Sequence, residues 1–168
     1  MARVNTKIGD IFSVKVSDCD KKYFQLVAFD LLQLNSDVIR AFKKEYSLNS
    51  TPNLTEIVNG EIEFYAHCIT KLGVKMNVWE KVGNTDEVGD TTGVLFKDTN
   101  DYGSAVGEEP IKVSHKWYVW RINDEYFSRV GKLDGGNKEA EIGIVINPHE
   151  IVNRIKTGQY SFVYPDFE

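Results

Sequence analysis

The segment Lys7-Ile8-Gly9-Asp10-Ile11-Phe12-Ser13-Val14-Lys15-Val16 places a glycine-aspartate turn directly ahead of an alternating run. Side chains on a strand alternate sides with period two, so Phe12, Val14 and Val16 share one face. After a short polar break, Tyr23-Phe24-Gln25-Leu26-Val27-Ala28-Phe29 is apolar on both faces. That is the pattern of a central strand covered on both sides. The N-terminal third must therefore build a sheet with a core on each face. Far downstream, Trp79-Glu80-Lys81-Val82-Gly83-Asn84 precedes a short apolar run, Val94-Leu95-Phe96.

Five stretches read as strands on alternation and β-branched or aromatic content: 11–16, 23–34, 61–70, 116–122 and 126–130. Asn123-Asp124-Glu125 makes the last two a hairpin, and Asn35-Ser36-Asp37 turns the chain into Val38–Phe42, a returning strand or a short helix through Tyr46, with the turn signal and the short run favouring strand. Thr51-Pro52 with Leu54, Ile57 and Val58 predicts one or two helical turns, stopped by Asn59-Gly60. The clearest helix follows Asn147. Asn147 is a good N-cap, Pro148 suits the first helical position, and Glu150 completes an approximate capping box. Ile146 and Ile151 are spaced as a hydrophobic staple, Ile151, Val152 and Ile155 form the buried stripe, and Gly158 ends the helix. The stretch from Asn84 to Ser114 is rich in Gly, Asp, Thr and Asn, broken by Val94-Leu95-Phe96, and reads as a long loop, either functional or mobile.

With 168 residues, 42% of them hydrophobic and 27% charged, the chain has the size and balance of one globular domain, 1–168. No apolar stretch is long enough for a transmembrane helix, and Met1–Lys7 has no secretory apolar core, so cytoplasm is the expected location. Cys19 and Cys68 are too few for a disulfide framework and suit a reducing compartment. The net charge of −5 argues against a nucleic-acid binder and favours a basic partner, or simply serves solubility.

Sequence motifs for catalysis are missing. No two histidines stand at metal-ligand spacing, no Cys-x-x-Cys exists, and Gly-x-Ser-x-Gly, Walker and Rossmann signatures are absent, so no metal or cofactor is expected. His67 and Cys68 are neighbours on a strand and point to opposite faces. Phe64, Ala66 and Cys68 read as core, with Tyr65 and His67 on the other side. Asp98-Thr99-Asn100-Asp101-Tyr102-Gly103 with Glu109 echoes a calcium loop. Tyr102, however, stands where a short carboxylate or amide is needed, and neither flank is helical, so a solvated turn is the better reading. Trp117 and Trp120, on opposite sides of one strand, cannot share a core layer: either both sheet faces are covered, by the C-terminal helix and the aromatic tail, or one of the two is exposed as a binding anchor.

The first strand, Tyr23 of the second, and the Trp-x-x-Val-Gly step together resemble the Immunity protein 26 family of bacterial polymorphic toxin systems. Gly9, Asp10, Phe12, Tyr23, Trp79, Val82 and Gly83 occupy the matching positions, over roughly the first two thirds of the chain. The glycine that often follows the family's tyrosine is missing here. The resemblance implies a non-enzymatic immunity protein that binds and neutralises a cognate toxin domain, such as a basic nuclease.

The fold expected is therefore α+β: a mostly antiparallel twisted sheet, curling into a partial SH3-like barrel, with a C-terminal helix. Charge and exposure place the toxin-binding surface on Asp86, Glu87, Asp90, Asp98, Asp101, Glu108 and Glu109, with Tyr102 and Trp120 as anchors. Trp79 and Gly83 are assigned to the fold, as a core filler and a tight turn. Two other readings compete: a small carboxylate-dependent hydrolase or transferase using the same loop, and a ligand-binding β-barrel lined by Phe24, Trp79 and Trp117.

Overall fold

The alternating N-terminal run becomes β1 (Asp10–Lys15), and the doubly apolar run becomes the centre of β2 (Asp20–Asp30). The computed structural model describes residues 3–102 and 106–168. With β3 (Ser36–Phe42), β4 (Tyr46–Ser47), β5 (Ile62–Cys68) and β6 (Glu80–Asn84) they form an antiparallel sheet in the order β5-β3-β2-β1-β6, β4 pairing with β2. A second sheet has the order β10-β7-β8-β9, from β7 (Leu95–Thr99), β8 (Trp117–Arg121), β9 (Ser128–Gly131) and β10 (Glu141–Ile142). Only the β10–β7 pair in it is parallel. The fold is α+β with mostly antiparallel sheets, and neither sheet closes into a barrel.

Both faces of the first sheet are buried, as its second strand requires. On one face Phe12, Phe24, Leu26, Ile39, Phe64, Ala66 and Cys68 pack with Trp79 and with Ile151 and Ile155 of α3 (Pro148–Thr157). On the other, Val27 and Val38 meet Phe96, Tyr118 and Trp120 of the second sheet, while Ile11, Tyr23 and Phe42 lie beneath α1 (Leu54–Val58). Gly9 sits at φ 97°, and a Cβ there would stand 2.5 Å from the Thr85 carbonyl oxygen, so the turn ahead of β1 needs glycine. Gly83 is not in a turn. It lies within β6, where a Cβ would stand 2.8 Å from Leu54 Cδ1 of α1, so the Leu54 side chain would have to shift to admit a larger residue.

The C-terminal helix forms as its sequence dictates: the Asn147 side chain accepts from the His149 amide, Pro148 opens it, and Gly158 closes it at φ 88°. The capping box does not form. Glu150 instead binds the Ser161 amide at 2.8 Å, tying the chain after the helix back onto its first turn. The strand expected over 61–70 ends at Cys68, and a short helix α2 (Thr70–Lys75) follows. Asp37 accepts the Thr70 amide at 2.8 Å, and the Trp79 indole donates to the Thr70 carbonyl at 2.9 Å; these two contacts fix the bend. No helix among the described residues is long and apolar enough to cross a membrane.

Candidate functional site

The acidic stretch 84–114 does not make one surface, because β7 runs through its middle. The loop carrying Asp86, Glu87 and Asp90 enters β7, while Asp101, Tyr102, Glu108 and Glu109 follow it. A five-residue strand holds its two ends roughly 13 Å apart. The exposed carboxylates thus fall at opposite ends of the second sheet.

At the far end the carboxylate of Asp98 is enclosed, not offered. Tyr164 donates to Oδ1 at 2.8 Å, Tyr118 to Oδ2 at 3.2 Å, Tyr102 also to Oδ1, and the Thr99 amide to Oδ1 at 2.8 Å. Burial first, and the Asp98 charge second, push the Tyr118 phenol up to about 12. Burial and Asp98 raise Tyr102 and Tyr164 as well, so all three phenols keep their protons as donors. Asp101 accepts from the Ser114 hydroxyl at 3.2 Å. Gly103 of the calcium-like segment lies outside the described residues. Among the described residues, no group of three or more His, Cys, Asp or Glu is placed to hold a metal ion.

Trp120, expected as an exposed anchor, is 1% exposed. Both faces of β8 are covered: Trp120 packs against the first sheet, and Trp117 packs beneath Leu133, Tyr164 and Phe167. Phe24 and Trp79 meet edge to face at 4.9 Å in the first core while Trp117 lies in another cluster, so the three do not line one cavity.

The near end holds residues that the sequence reading placed inside strands. β2 stops at Asp30 and β9 starts only at Ser128, which frees Leu31–Asn35 and Ile122–Phe127 as turns. Asp30 is fully buried between them. Its Oδ2 accepts from His67 Nε2 at 2.9 Å and Trp120 Nε1 at 3.2 Å, and its Oδ1 accepts the amides of Gln33 and Asn123. Asn123 in turn accepts the Leu31 amide at 2.8 Å and donates to the Phe29 carbonyl. The Gln33 side chain donates to the carbonyls of Asp124 and Glu125. The two turns are stitched into one frame across the two sheets.

On that frame four large apolar side chains face solvent: Leu31 (66% exposed), Leu32 (58%), Tyr126 (80%) and Phe127 (41%). Val88, Leu34 and Ile122 pack on the buried cluster of Val27, Val38, Phe96 and Trp120, so the loop of Asp86, Glu87 and Asp90 is anchored on the same cluster that underlies these turns. Arg40 fixes that loop from below. Its Nε donates to Gln25 at 3.0 Å and its NH2 to the Glu87 carbonyl at 2.9 Å. Arg121 adds a positive charge to the same end. The signals for this surface were leucines beside a turn tripeptide and an aspartate ending an apolar strand.

His67 gives the frame a pH dependence. Burial pushes its imidazole below the ordinary value of 6.5, with Asp30 pulling the other way. The neutral ring donates from Nε2 and leaves Nδ1 buried without a partner among the described residues. As pH falls through about 6.5 the unfolded chain takes up a proton that the folded chain resists. Stability is therefore full above that pH and declines below it, by at most about 1.4 kcal/mol per pH unit from this group. Urea midpoints measured from about pH 8 to about pH 5 check this; a His67 contribution that grows on acidification would mean a charged pair with Asp30 in the folded state.

No family model matches this chain, and no curated protein or solved structure matches it either, so the resemblance to the Immunity protein 26 family stands on the residues quoted above.

Proposed function

We propose that this chain is a non-enzymatic immunity protein that docks on a cognate bacterial toxin domain in the cytoplasm and blocks it sterically. The observation that carries the proposal is the frame on Asp30, which holds Leu31, Leu32, Tyr126 and Phe127 out in water on turns that also carry Asp124 and Glu125, with Val88 of the loop bearing Asp86, Glu87 and Asp90 packed on the cluster beneath. Apolar side chains displayed together on a hydrogen-bonded frame, with a charged rim, are the usual make-up of an interaction site. The acidic rim selects a partner with a basic surface and speeds its approach, which suits a nuclease domain. Asp98 supports binding over carboxylate catalysis, since four donors already occupy it. Trp120 drops out of the interface, and Asp98, Asp101, Tyr102, Glu108 and Glu109 belong to the opposite end.

The test is neutralisation in cells. The C-terminal domain of the large protein encoded beside this gene is expressed with and without this chain, and survival is scored. Rescue is expected from the native chain and from Glu108→Gln with Glu109→Gln, and is expected to fail with Leu32→Asp and Tyr126→Asp combined. A native chain that neither rescues nor co-purifies with that domain would sink the immunity reading.

A further inference from the structure

β1 outruns its neighbour at the edge of the first sheet. Its last pair on the β6 side is Ser13 with Glu80, while on the β2 side pairing continues to Lys15 with Lys21. The Val16 amide turns toward β2 and donates to the Asp20 carbonyl at 3.0 Å, so by alternation the N–H and C=O of Lys15 face the other way. There β6 has already ended, because the chain ahead of it turns Trp79 into the core. Among the described residues no backbone group pairs with the Lys15 N–H or C=O. Two clefts, of about 710 and 670 Å³, adjoin at this open edge, and Lys15 and Val78 line both.

The two sides of the edge differ in character. On one, Lys15 and Lys21 stand opposite each other across the β1–β2 ladder. The Lys21 ammonium donates to the neutral carbonyls of Leu48 (3.2 Å) and Ser50 (2.7 Å), and Lys15 reaches only Asp18, at 3.8 Å and fully exposed. On the other side Val74, Val78 and Val152 are half-buried against the first core, with Lys156 of α3 at the rim. Lys81 is already paired with Asp10 at 3.0 Å. That leaves Lys15, Lys21 and Lys156 outnumbering the lining carboxylates, Asp18 and Glu80, in a chain whose net charge is −5.

An extended chain laid along this edge meets all of these features together. Its backbone takes the free N–H and C=O of Lys15, and its side chains fall in alternation on the lysine side and on the valine side. We infer that the open edge of β1 binds an extended segment of a partner protein in which acidic side chains alternate with apolar ones. Lys15 and Lys21 select the acidic positions, and Val78 and Val152 select the apolar ones. The run of β2 from Lys21 to Asp30 spans roughly 30 Å, which puts this edge at the far end of the first sheet from the docking frame. The inference does not depend on the immunity reading.

Titration of the full chain, followed by amide NMR, tests it with three probes: a short capped peptide of alternating aspartate and valine, its lysine–valine counterpart, and oligothymidine. Saturable one-to-one binding of the acidic peptide is expected, with shifts centred on Lys15, Lys21 and Val78. The Lys15 amide should also exchange more slowly with solvent, which separates strand addition from loose attraction to lysines. Lys15 is exposed, so its substitutions leave the fold intact; Lys15→Gln should weaken binding about threefold and Lys15→Glu about tenfold or more. An aspartate–serine peptide should bind more weakly than the aspartate–valine one, because it loses the valine side. Shifts that do not saturate at millimolar peptide, a Lys15 amide whose exchange is unchanged, or equal or tighter binding of the lysine peptide or of oligothymidine would overturn the inference.

Discussion

Asp30→Ala is expected to cost about 4 kcal/mol of folding stability, among the largest effects of any single substitution in this chain. The carboxylate accepts from four donors: His67 Nε2, Trp120 Nε1 and the amides of Gln33 and Asn123. Two of these, on His67 and Trp120, are fully inside, and each buried donor left unpaired costs about 1–3 kcal/mol. The two backbone amides lie nearer the surface and recover part of their loss from water. Asp30→Asn should be milder, about 1–3 kcal/mol, since its oxygen can still take both amides and His67 can accept from its nitrogen as the other tautomer; Trp120 Nε1 and the buried Nδ1–H of that tautomer stay unpaired. Chemical denaturation reads both values. A change under about 1 kcal/mol for Asp30→Ala would mean that the carboxylate does not join the two sheets. The folded fraction of Asp30→Ala should also bind its partner less well, because the turns bearing Leu31 and Tyr126 lose their shared anchor.

Trp120→Ala is expected to be about as damaging, near 4 kcal/mol. The indole is packed by Phe96 at 6.0 Å, Tyr118 at 6.0 Å and Phe127 at 4.8 Å between ring centres. The backbone at Gly143 lies against its outer edge, so closely that a Cβ there would fall 2.1 Å from the ring. Removing the ring opens a cavity with walls on two sheets that cannot collapse freely. Trp120→Phe should cost about 1–2 kcal/mol, because most of the apolar volume stays and Asp30 keeps three of its donors. An exposed binding anchor would give the opposite signature, with unchanged stability and lost affinity. Trp120→Ala and Asp30→Ala share a hydrogen bond, so their combined cost should fall short of the sum.

The elements that were legible in the sequence are those whose signals are local. Asn147, Pro148 and Gly158 start and stop α3 through their own backbone preferences. The period-two runs at Ile11–Val16 and Val38–Phe42, and the doubly apolar centre of β2, needed only a core to face. β7 was legible only as the strand-like run Val94-Leu95-Phe96 inside the long loop, because Lys97 and Asp98 break its apolar pattern. Their charges are tolerated by partners remote in sequence: Trp117 and Phe167 for one, Tyr118 and Tyr164 for the other. α2 was hidden for a similar reason, since Thr70 and Gly73 are poor helix formers held in place by Asp37 and by Trp79. The docking frame was read as strand because Leu31, Leu32, Tyr126 and Phe127 look like strand residues. What releases them into turns is Asp30, which gathers amides from chain segments about ninety residues apart.

The central claim is that the end of the molecule built on Asp30 is the surface that meets the toxin. Its most direct test is the affinity of the purified chain for the C-terminal domain of the neighbouring large protein, measured for two double variants of equal fold stability. Leu32→Asp with Tyr126→Asp should weaken binding by roughly 100-fold or more, while Glu108→Gln with Glu109→Gln should change it by less than about threefold. Full affinity in the first pair and its loss in the second would contradict the account and move the interface to the opposite end of the second sheet.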